Sequence, residues 1–183
     1  GFDRAGDNTV WTNLLRTCAN TNVDWTTLAA YSNIQHSLDV TNFCDYVILW
    51  WYCGGGDWQE EDAAKNFYVA NRNSPTAGPI SYFCWDMEVS WLPSSGSSEG
   101  AWVKPTFLDE SMSATNGHYV AGVFDPLWQN AEFRQLFADR LYKHCFNDGA
   151  LSDTNSQARW MRLCNFIEDA MVAESARWGD AKA

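Results

Sequence analysis

The stretch DVTNFCDYVILWWYC, residues 39–53, is the segment that decides the fold. Asp39 is a typical helix N-cap, because its carboxylate can accept a hydrogen bond from the first turn. The apolar residues that follow it run almost all the way round a helical wheel, which is the pattern of a buried helix. The sequence therefore predicts a central helix over residues 40–53 that is enclosed by the rest of the protein.

Downstream of this helix the pattern changes to that of a hairpin. Gly54–Gly56 end the helix, since glycine is the usual residue at a helix C-terminus. After an acidic loop, residues 66–71 and 80–85 have the composition of two strands. The pairs Ser74-Pro75 and Gly78-Pro79 indicate the turn between them. We therefore expect a small β-hairpin directly after the central helix.

The remaining segments predict further helices. Asn8 and Asn22 are candidate N-caps of two short helices before the central one. Asp125-Pro126 has the form of a cap followed by a first-turn proline, and opens a helix that ends near Asn147. Ser152 opens a long last helix with an apolar stripe formed by Met161, Cys164, Ile167, Met171 and Trp178. We predict an α+β fold, mostly helical around the hairpin, in a single domain over residues 1–183.

The charge balance restricts the possible partners. Twelve basic and twenty-three acidic residues give a formal net charge of −11. Such a surface repels phosphate backbones and anionic lipids, so we expect neither nucleic acid nor a membrane as a partner. A divalent cation or a basic protein substrate fits the charge better. No apolar run approaches the ~20 residues of a membrane span, and the sequence does not begin with a signal peptide.

Six cysteines bear on the cellular compartment, and they are Cys18, Cys44, Cys53, Cys84, Cys145 and Cys164. None stands in a C-x-x-C pair and the three histidines are scattered, so we expect no structural zinc site. Wide spacing and an even number permit disulfides, which would require an oxidising compartment. Buried free thiols are the alternative. We expect an extracytoplasmic or secreted protein.

Carboxylates and an amide surround the predicted hairpin. Asp57 follows the glycine turn, Asn66 begins the first strand, and Asp86 ends the second. Glu88 lies on the same side as Asp86 if the strand continues. Such oxygens are the ligands that Mg²⁺ and Mn²⁺ prefer, and phosphoryl transfer needs a site of this kind. The alternative is that these residues are an ordinary turn, strand end and cap.

The order of these motifs resembles the spore-coat CotH kinase family. That family carries a helix with Asp-Tyr, an Asp-bearing loop, Asn-Tyr-Tyr and Trp-Asp-x-Asp. The corresponding segments here are Asp45-Tyr46, Asp57, Asn66-Phe67-Tyr68 and Trp85-Asp86-Met87-Glu88. The resemblance covers roughly residues 39–180, and its later part comprises Asn130–Arg134, Phe137–Arg140, Gly149–Leu151 and Glu174–Asp180.

The resemblance implies a kinase-like fold that uses ATP and a divalent metal, Mg²⁺ or Mn²⁺, to phosphorylate protein Ser or Thr. It implies that Asp57 is the catalytic residue and that Asn66, Asp86 and Glu88 bind the metal. Glu88 departs from the family's usual Asp and adds a methylene. We find no Gly-x-Gly loop and no lysine before Lys65. We therefore expect the kinase C-lobe-like catalytic lobe without the nucleotide-binding upper lobe, and ATP only if kinase activity persists.

Three functions remain open from the sequence. The first is a kinase-like phosphotransferase. The second is a non-catalytic module that keeps the metal site, binds protein or cation, and self-associates through the face that a missing lobe leaves exposed. The third is carbohydrate binding or hydrolysis, with Asp57 and Glu88 as acid and base and rings contributed by Trp58, Trp85, Trp91 and Trp102.

Other residues of the region have structural interpretations. Tyr68 and Tyr82 are predicted to pack the hairpin rather than to act as catalysts. Arg140 and Arg177, on the late helices, are predicted to form structural ion pairs, and their candidate partners are Asp139, Glu168 and Glu174.

Overall fold

The computed structural model describes residues 8–53, 67–72, 78–87, 90 and 120–179. The chain forms two compact units, Gly1–Arg140 and Leu141–Ala183, and each is described by itself. The described ranges are mostly helical and contain one two-stranded antiparallel sheet, so the predicted α+β class is confirmed. None of the helices in these ranges combines the length and the hydropathy that a membrane span requires.

Two short helices precede the central one. Helix α1, Thr9–Cys18, follows Asn8 as predicted, although the Asn8 side chain makes no capping hydrogen bond. Helix α2, Leu28–Ile34, begins after Thr27, whose hydroxyl accepts a hydrogen bond from the backbone N–H of Ala30. The predicted cap at Asn22 is wrong. The segment before α2 instead forms local turns in which Asn and Asp side chains bond backbone N–H groups two residues ahead.

Helix α3, Val40–Cys53, is the central helix that the sequence predicts. The Asp39 carboxylate accepts a hydrogen bond from the backbone N–H of Asn42 at 3.0 Å, which confirms the cap. Thr41 alone among the α3 residues is exposed, and the others are buried or intermediate. Phe43, Val47 and Trp50 are at most 1% exposed. The almost continuous apolar surface of α3 is thus buried, as its sequence indicates.

The hairpin is attached to the start of α3. Strands β1, Phe67–Ala70, and β2, Ser81–Cys84, are antiparallel, with Tyr68 opposite Phe83 and Val69 opposite Tyr82. Their bounds agree with the predicted strands to within one residue. Ile80 donates its N–H to the Ser37 carbonyl and accepts a hydrogen bond from the Asp39 N–H, both at 2.8 Å. The backbone segments that precede β2 and α3 are therefore hydrogen-bonded to each other.

Two helices follow where the sequence predicts one. Helix α4 is Ala121–Trp128 and helix α5 is Ala131–Cys145. The interpretation of Asp125-Pro126 as a cap and first turn is wrong, because both residues lie inside α4. Helix α4 begins earlier because Val120–Phe124 are all buried, and this tertiary burial outweighs the local cap signal. The break falls at Asn130, whose side-chain oxygen accepts from the Glu132 N–H at 2.9 Å and so caps α5.

The second unit, Leu141–Ala183, contains the end of α5, a turn, and helix α6, Asp153–Trp178. In the turn Asn147 has a φ of 52°, a left-handed conformation that asparagine tolerates. The Leu151 N–H bonds the His144 carbonyl at 2.7 Å. Ser152 precedes α6 as predicted. No residue of α6 is buried, so its predicted apolar stripe lies on the surface.

Candidate functional site

Of the four residues predicted to form the site, the structure describes Asp86. Asp57, Asn66 and Glu88 lie outside the described residues, and so do Trp58, Trp91 and Trp102. Within the described ranges, no three His, Cys, Asp or Glu side chains are grouped in a way that could hold a metal ion. The convergence of the four oxygen ligands therefore stays a prediction, and Asp86 is the residue from which the site can be built.

Asp86 stands two residues beyond the end of β2, with its side chain exposed. Its φ is 58°, in the left-handed region that non-glycine residues adopt rarely, Asp and Asn more readily than others. Strand β2 ends at Cys84 and the chain turns at Met87, so the strand does not continue through Asp86. The condition on which Asp86 and Glu88 were predicted to share a side is not met.

A side-chain clamp from α3 holds the strand that leads to Asp86. The Asn42 amide donates to the Tyr82 carbonyl at 3.1 Å and accepts from the Tyr82 N–H at 2.6 Å. The Tyr82 ring is buried, with centroids 4.9 Å from Phe43 and 5.2 Å from Tyr46. Backbone and ring of the same residue are thus fixed against α3, four positions before Asp86.

The opposite face of the hairpin carries exposed aromatic side chains. Alternation along β2 places Phe83 away from the buried Tyr82, and Phe83 lies opposite Tyr68 in the register. Tyr68 and Trp85 meet edge to face, with centroids 4.9 Å apart. Phe83 and Trp85 are each at least half exposed. We call Tyr68, Phe83 and Trp85 the aromatic face. Its residue Trp85 is the immediate neighbour of Asp86, so an exposed aromatic surface adjoins the exposed carboxylate.

The two hairpin tyrosines therefore differ in role. Tyr82 packs the core, as the sequence predicts for both. Tyr68 is 37% exposed and belongs to the aromatic face. The register, in which Tyr68 lies opposite Phe83, places the two tyrosines on opposite faces of the hairpin, and a sequence without the register does not give this.

Burial disfavours the reactive thiolate form of three cysteines near the hairpin, Cys18, Cys44 and Cys84. None of the six cysteines forms a disulfide in the structure, although the sequence permits such bonds. Burial raises the pKa of Cys18 and of Cys44 to about 12, and that of Cys84 to about 11. A thiol must ionise to attack or to bind a metal. These three remain protonated at neutral pH and contribute to packing.

Arg140 forms a structural ion pair, as the sequence predicts, but with an unpredicted partner, and the pair ties α3 to α5. The Arg140 guanidinium donates to both carboxylate oxygens of Asp45, Nε to Oδ1 at 2.6 Å and Nη2 to Oδ2 at 2.5 Å. The prediction of Asp139, Glu168 or Glu174 as the partner of Arg140 is wrong. A signal existed, because a lone acid in an otherwise apolar and largely enclosed helix favours a cation as its partner. The Arg177 guanidinium lies over the Trp178 ring, 4.8 Å from its centroid, and the ion pair predicted for Arg177 stays a prediction.

The family of the chain follows from its whole length. A family model described as CotH kinase protein matches residues 3–183. The chain belongs to the CotH kinase family. No curated protein and no solved structure matches it, so the assignment depends on the family model. The match begins well before residue 39 and includes α1 and α2, which the motif resemblance did not reach. At the level of the family, this is a kinase-like protein.

Two of the segments that resemble the family's motifs lie in the described residues and differ in their surroundings. In the order of the family's motifs, Asp45-Tyr46 lies in α3 and Trp85-Asp86 ends the hairpin. The first motif supplies the carboxylate that Arg140 holds. The second supplies an exposed carboxylate on an anchored strand. The two carboxylates therefore have different surroundings, since the Asp45 carboxylate is engaged in an ion pair within the fold and Asp86 is exposed.

Proposed function

We propose that this CotH-family chain binds a divalent metal, Mg²⁺ or Mn²⁺, together with ATP at the end of the β-hairpin, and transfers phosphate to protein Ser or Thr. The observation that carries the proposal is Asp86, an exposed carboxylate in a left-handed conformation at the end of a clamped strand. Uncommon backbone conformations that surrounding structure enforces are concentrated at functional sites.

The donor set fits the proposed ion. Asp86, Asn66 and Glu88 would supply carboxylate and amide oxygens, which are the ligands of Mg²⁺ and Mn²⁺. When bound, the ion would neutralise charge on the phosphate oxygens. Asp57 would accept the proton of the substrate hydroxyl, the role that the family resemblance gives it. The aromatic face beside Asp86 offers ring surface on which a nucleotide base can stack.

The clamp on β2 would serve positioning. Effective transfer depends on reacting groups being held to within a fraction of an ångström. Asn42 contributes because it bonds both backbone polar groups of Tyr82, so β2 cannot slide along α3 without breaking both bonds. The negative net charge supports a basic protein as substrate, because opposite charges accelerate encounter.

Thermal unfolding tests the metal and nucleotide site. Ligand at 100 times its dissociation constant adds about 2.7 kcal/mol of stability, which raises Tm by about 5–10 °C in a domain of this size. We expect this rise with Mg²⁺ or Mn²⁺ plus ATP, and its loss in Asp86→Asn. Asparagine tolerates the left-handed conformation, so this change removes charge without backbone strain. Asp169→Asn, at an exposed position of α6, is the control for net charge.

Three outcomes distinguish the alternatives. A rise with metal and ATP that Asp86→Asn abolishes and Asp169→Asn retains supports the nucleotide site. A rise with metal alone indicates a cation-binding module without kinase activity. No rise with either ligand contradicts the proposal.

Phosphate transfer is tested directly with labelled ATP and a histone mixture as a basic acceptor. We expect incorporation by the unmodified chain and a loss of about 100-fold or more in Asp57→Asn, since general bases contribute roughly 10²–10⁴-fold. Asp57→Asn should retain the thermal shift with metal and ATP. Loss of transfer with the shift intact separates catalysis from binding, and transfer unaffected by Asp57→Asn contradicts the role of Asp57.

The aromatic face also supports a second candidate function, carbohydrate binding. Trp85 is 54% exposed next to an exposed carboxylate, and sugar rings can pack on exposed indoles. Titration with soluble glycans, followed by tryptophan fluorescence, tests it against Trp85→Ala. A signal that Trp85→Ala removes, without any thermal shift from metal and ATP, favours this function over phosphate transfer.

A further inference from the structure

Helix α6 has a composition that does not match its exposure. It contains 26 residues and none is buried. Eight of them are large apolar residues with exposed side chains, namely Trp160, Met161, Leu163, Phe166, Ile167, Met171, Val172 and Trp178. A contiguous exposed apolar surface of this kind marks an interaction site.

The most regular part of this surface is a seam with coiled-coil spacing. Trp160, Cys164, Ile167 and Met171 follow one another at intervals of four, three and four residues, and Trp178 lies seven residues after Met171. This is the a/d repeat of a helix that packs against a second helix. Apart from Cys164, which is partly exposed, the seam side chains are 45–68% exposed.

We infer that the seam is a dimer interface and that its occupant is α6 of a second copy of this chain, in antiparallel orientation. The apolar positions of the seam are placed symmetrically about the midpoint between Asn165 and Phe166: Cys164 and Ile167 are equally far from it, and so are Trp160 and Met171. Antiparallel pairing sets Cys164 against Ile167 of the second copy and Trp160 against its Met171. Each apolar side chain of this central part of the seam then meets an apolar partner twice, once on each side of the two-fold axis.

Charge favours the antiparallel direction over the parallel one. Residues 159–165 carry Arg159 and Arg162 and no acid, and residues 166–174 carry Glu168, Asp169 and Glu174 and no base. Antiparallel pairing brings the basic half of one helix to the acidic half of the other. Parallel pairing brings like charges together, which is unfavourable. The helix dipoles also oppose one another in the antiparallel arrangement.

Sedimentation of the full chain over a concentration series tests the interface. We expect a reversible dimer, and a dissociation constant more than roughly tenfold larger in Ile167→Glu, because each interface then buries two carboxylates against apolar side chains, one on each side of the two-fold axis. Phe166→Glu makes the same change one residue away, outside the seam, where the side chain is 85% exposed. This control should leave dimerisation unchanged. Neither residue is buried, so both variants are expected to fold.

The seam inference is wrong if the chain is monomeric over the whole concentration series. A seam that binds a different protein, and not a second copy, would give this result. It is also wrong if Ile167→Glu and Phe166→Glu have equal effects. Thermal unfolding of both variants controls for folding.

A second experiment tests the direction. Copies carrying Cys164→Ser and Ile167→Cys are mixed with unmodified chain and oxidised by a small disulfide, whose exchange with two thiols forms the new disulfide and releases two small thiols. In an antiparallel dimer Cys164 of the unmodified copy faces the new thiol of the variant copy. The mixture should therefore cross-link more than the unmodified chain alone or the double variant alone. Cross-linking of the unmodified chain with itself through Cys164, in preference to the mixture, indicates a parallel dimer and overturns the antiparallel arrangement.

Discussion

Helices α3 and α6 differ in almost everything except their periodicity. Both repeat apolar residues at helical spacing. In α3, 14 residues long, one residue is exposed, whereas in α6, 26 residues long, none is buried. The two helices differ at the positions outside the apolar stripe. These positions are mostly apolar in α3, whereas in α6 they include charged residues. Periodicity predicts that a helix forms, and the residues off the stripe predict how completely it is enclosed.

The largest expected effect comes from deleting the same ring in each helix. Phe43 in α3 is 0% exposed and Phe166 in α6 is 85% exposed. Phe43→Ala should lower the free energy of unfolding by about 3–5 kcal/mol, because it leaves a cavity. Phe166→Ala should change it by less than about 0.5 kcal/mol. Urea unfolding measures both, and effects of equal size would remove the distinction between the helices.

A smaller effect is expected from the arginines. Arg140→Ala leaves the part-buried Asp45 carboxylate without its bidentate partner. The substitution should lower the free energy of unfolding by about 2–3 kcal/mol. This is less than for a fully buried pair, because Asp45 is 33% exposed. Arg162→Ala, at an exposed position of α6, should cost under about 0.5 kcal/mol. A loss below that size in Arg140→Ala would mean that solvent replaces the pair.

Asparagines provide a third matched pair. Asn42→Ala removes two hydrogen bonds to Tyr82 and should cost about 1–2 kcal/mol. It should also weaken the thermal shift with metal and ATP, because the strand before Asp86 loosens. Asn165→Ala on the surface of α6 should alter neither quantity. A variant Asn42→Ala with full ligand response would show that the clamp serves stability alone.

The smallest effect concerns Asp125, half-buried in α4. Burial raises the pKa of this carboxyl to about 6 from an ordinary 3.8. The fold favours the neutral form, so its stabilising contribution is complete below pH ~4 and is lost as pH rises through about 6. Asp125→Asn should therefore stabilise the protein by about 1 kcal/mol at pH ~8 and by almost nothing at pH ~4, after allowance for solvent screening. Urea unfolding at both values measures this.

Asp169→Asn on α6 is the control for that titration. It makes the same change at an exposed carboxyl, and it therefore measures the effect of the substitution itself without burial of the carboxyl. If Asp125→Asn raises the free energy of unfolding by the same amount at both pH values, the change acts through packing or helix propensity and not through the buried charge.

Much of the fold was predictable because its signals are local. The composition of residues 40–53 predicts a buried helix, and strand propensity with Pro and Gly pairs predicts the hairpin to within one residue. Helix starts were predictable where burial did not oppose the cap signal, as at Asp39 and Ser152. The local signal at Asp125-Pro126 predicts a helix start there, but the burial of residues 120–124 favours an earlier start. The helix begins at Ala121, so burial has the larger effect.

For the candidate site, the sequence by itself determined which residue types stand near the hairpin and in which order, which is enough for the CotH family. Only the tertiary structure decided that Asp45 pairs with Arg140, 95 residues away, that Asn42 holds Tyr82, and that Asp86 is left-handed and exposed. It also decided that Tyr68, Phe83 and the α6 stripe face outward. The physical reason is that periodicity and capping depend on neighbouring residues, whereas ion pairs, clamps and exposure depend on which distant surfaces the folded chain brings together.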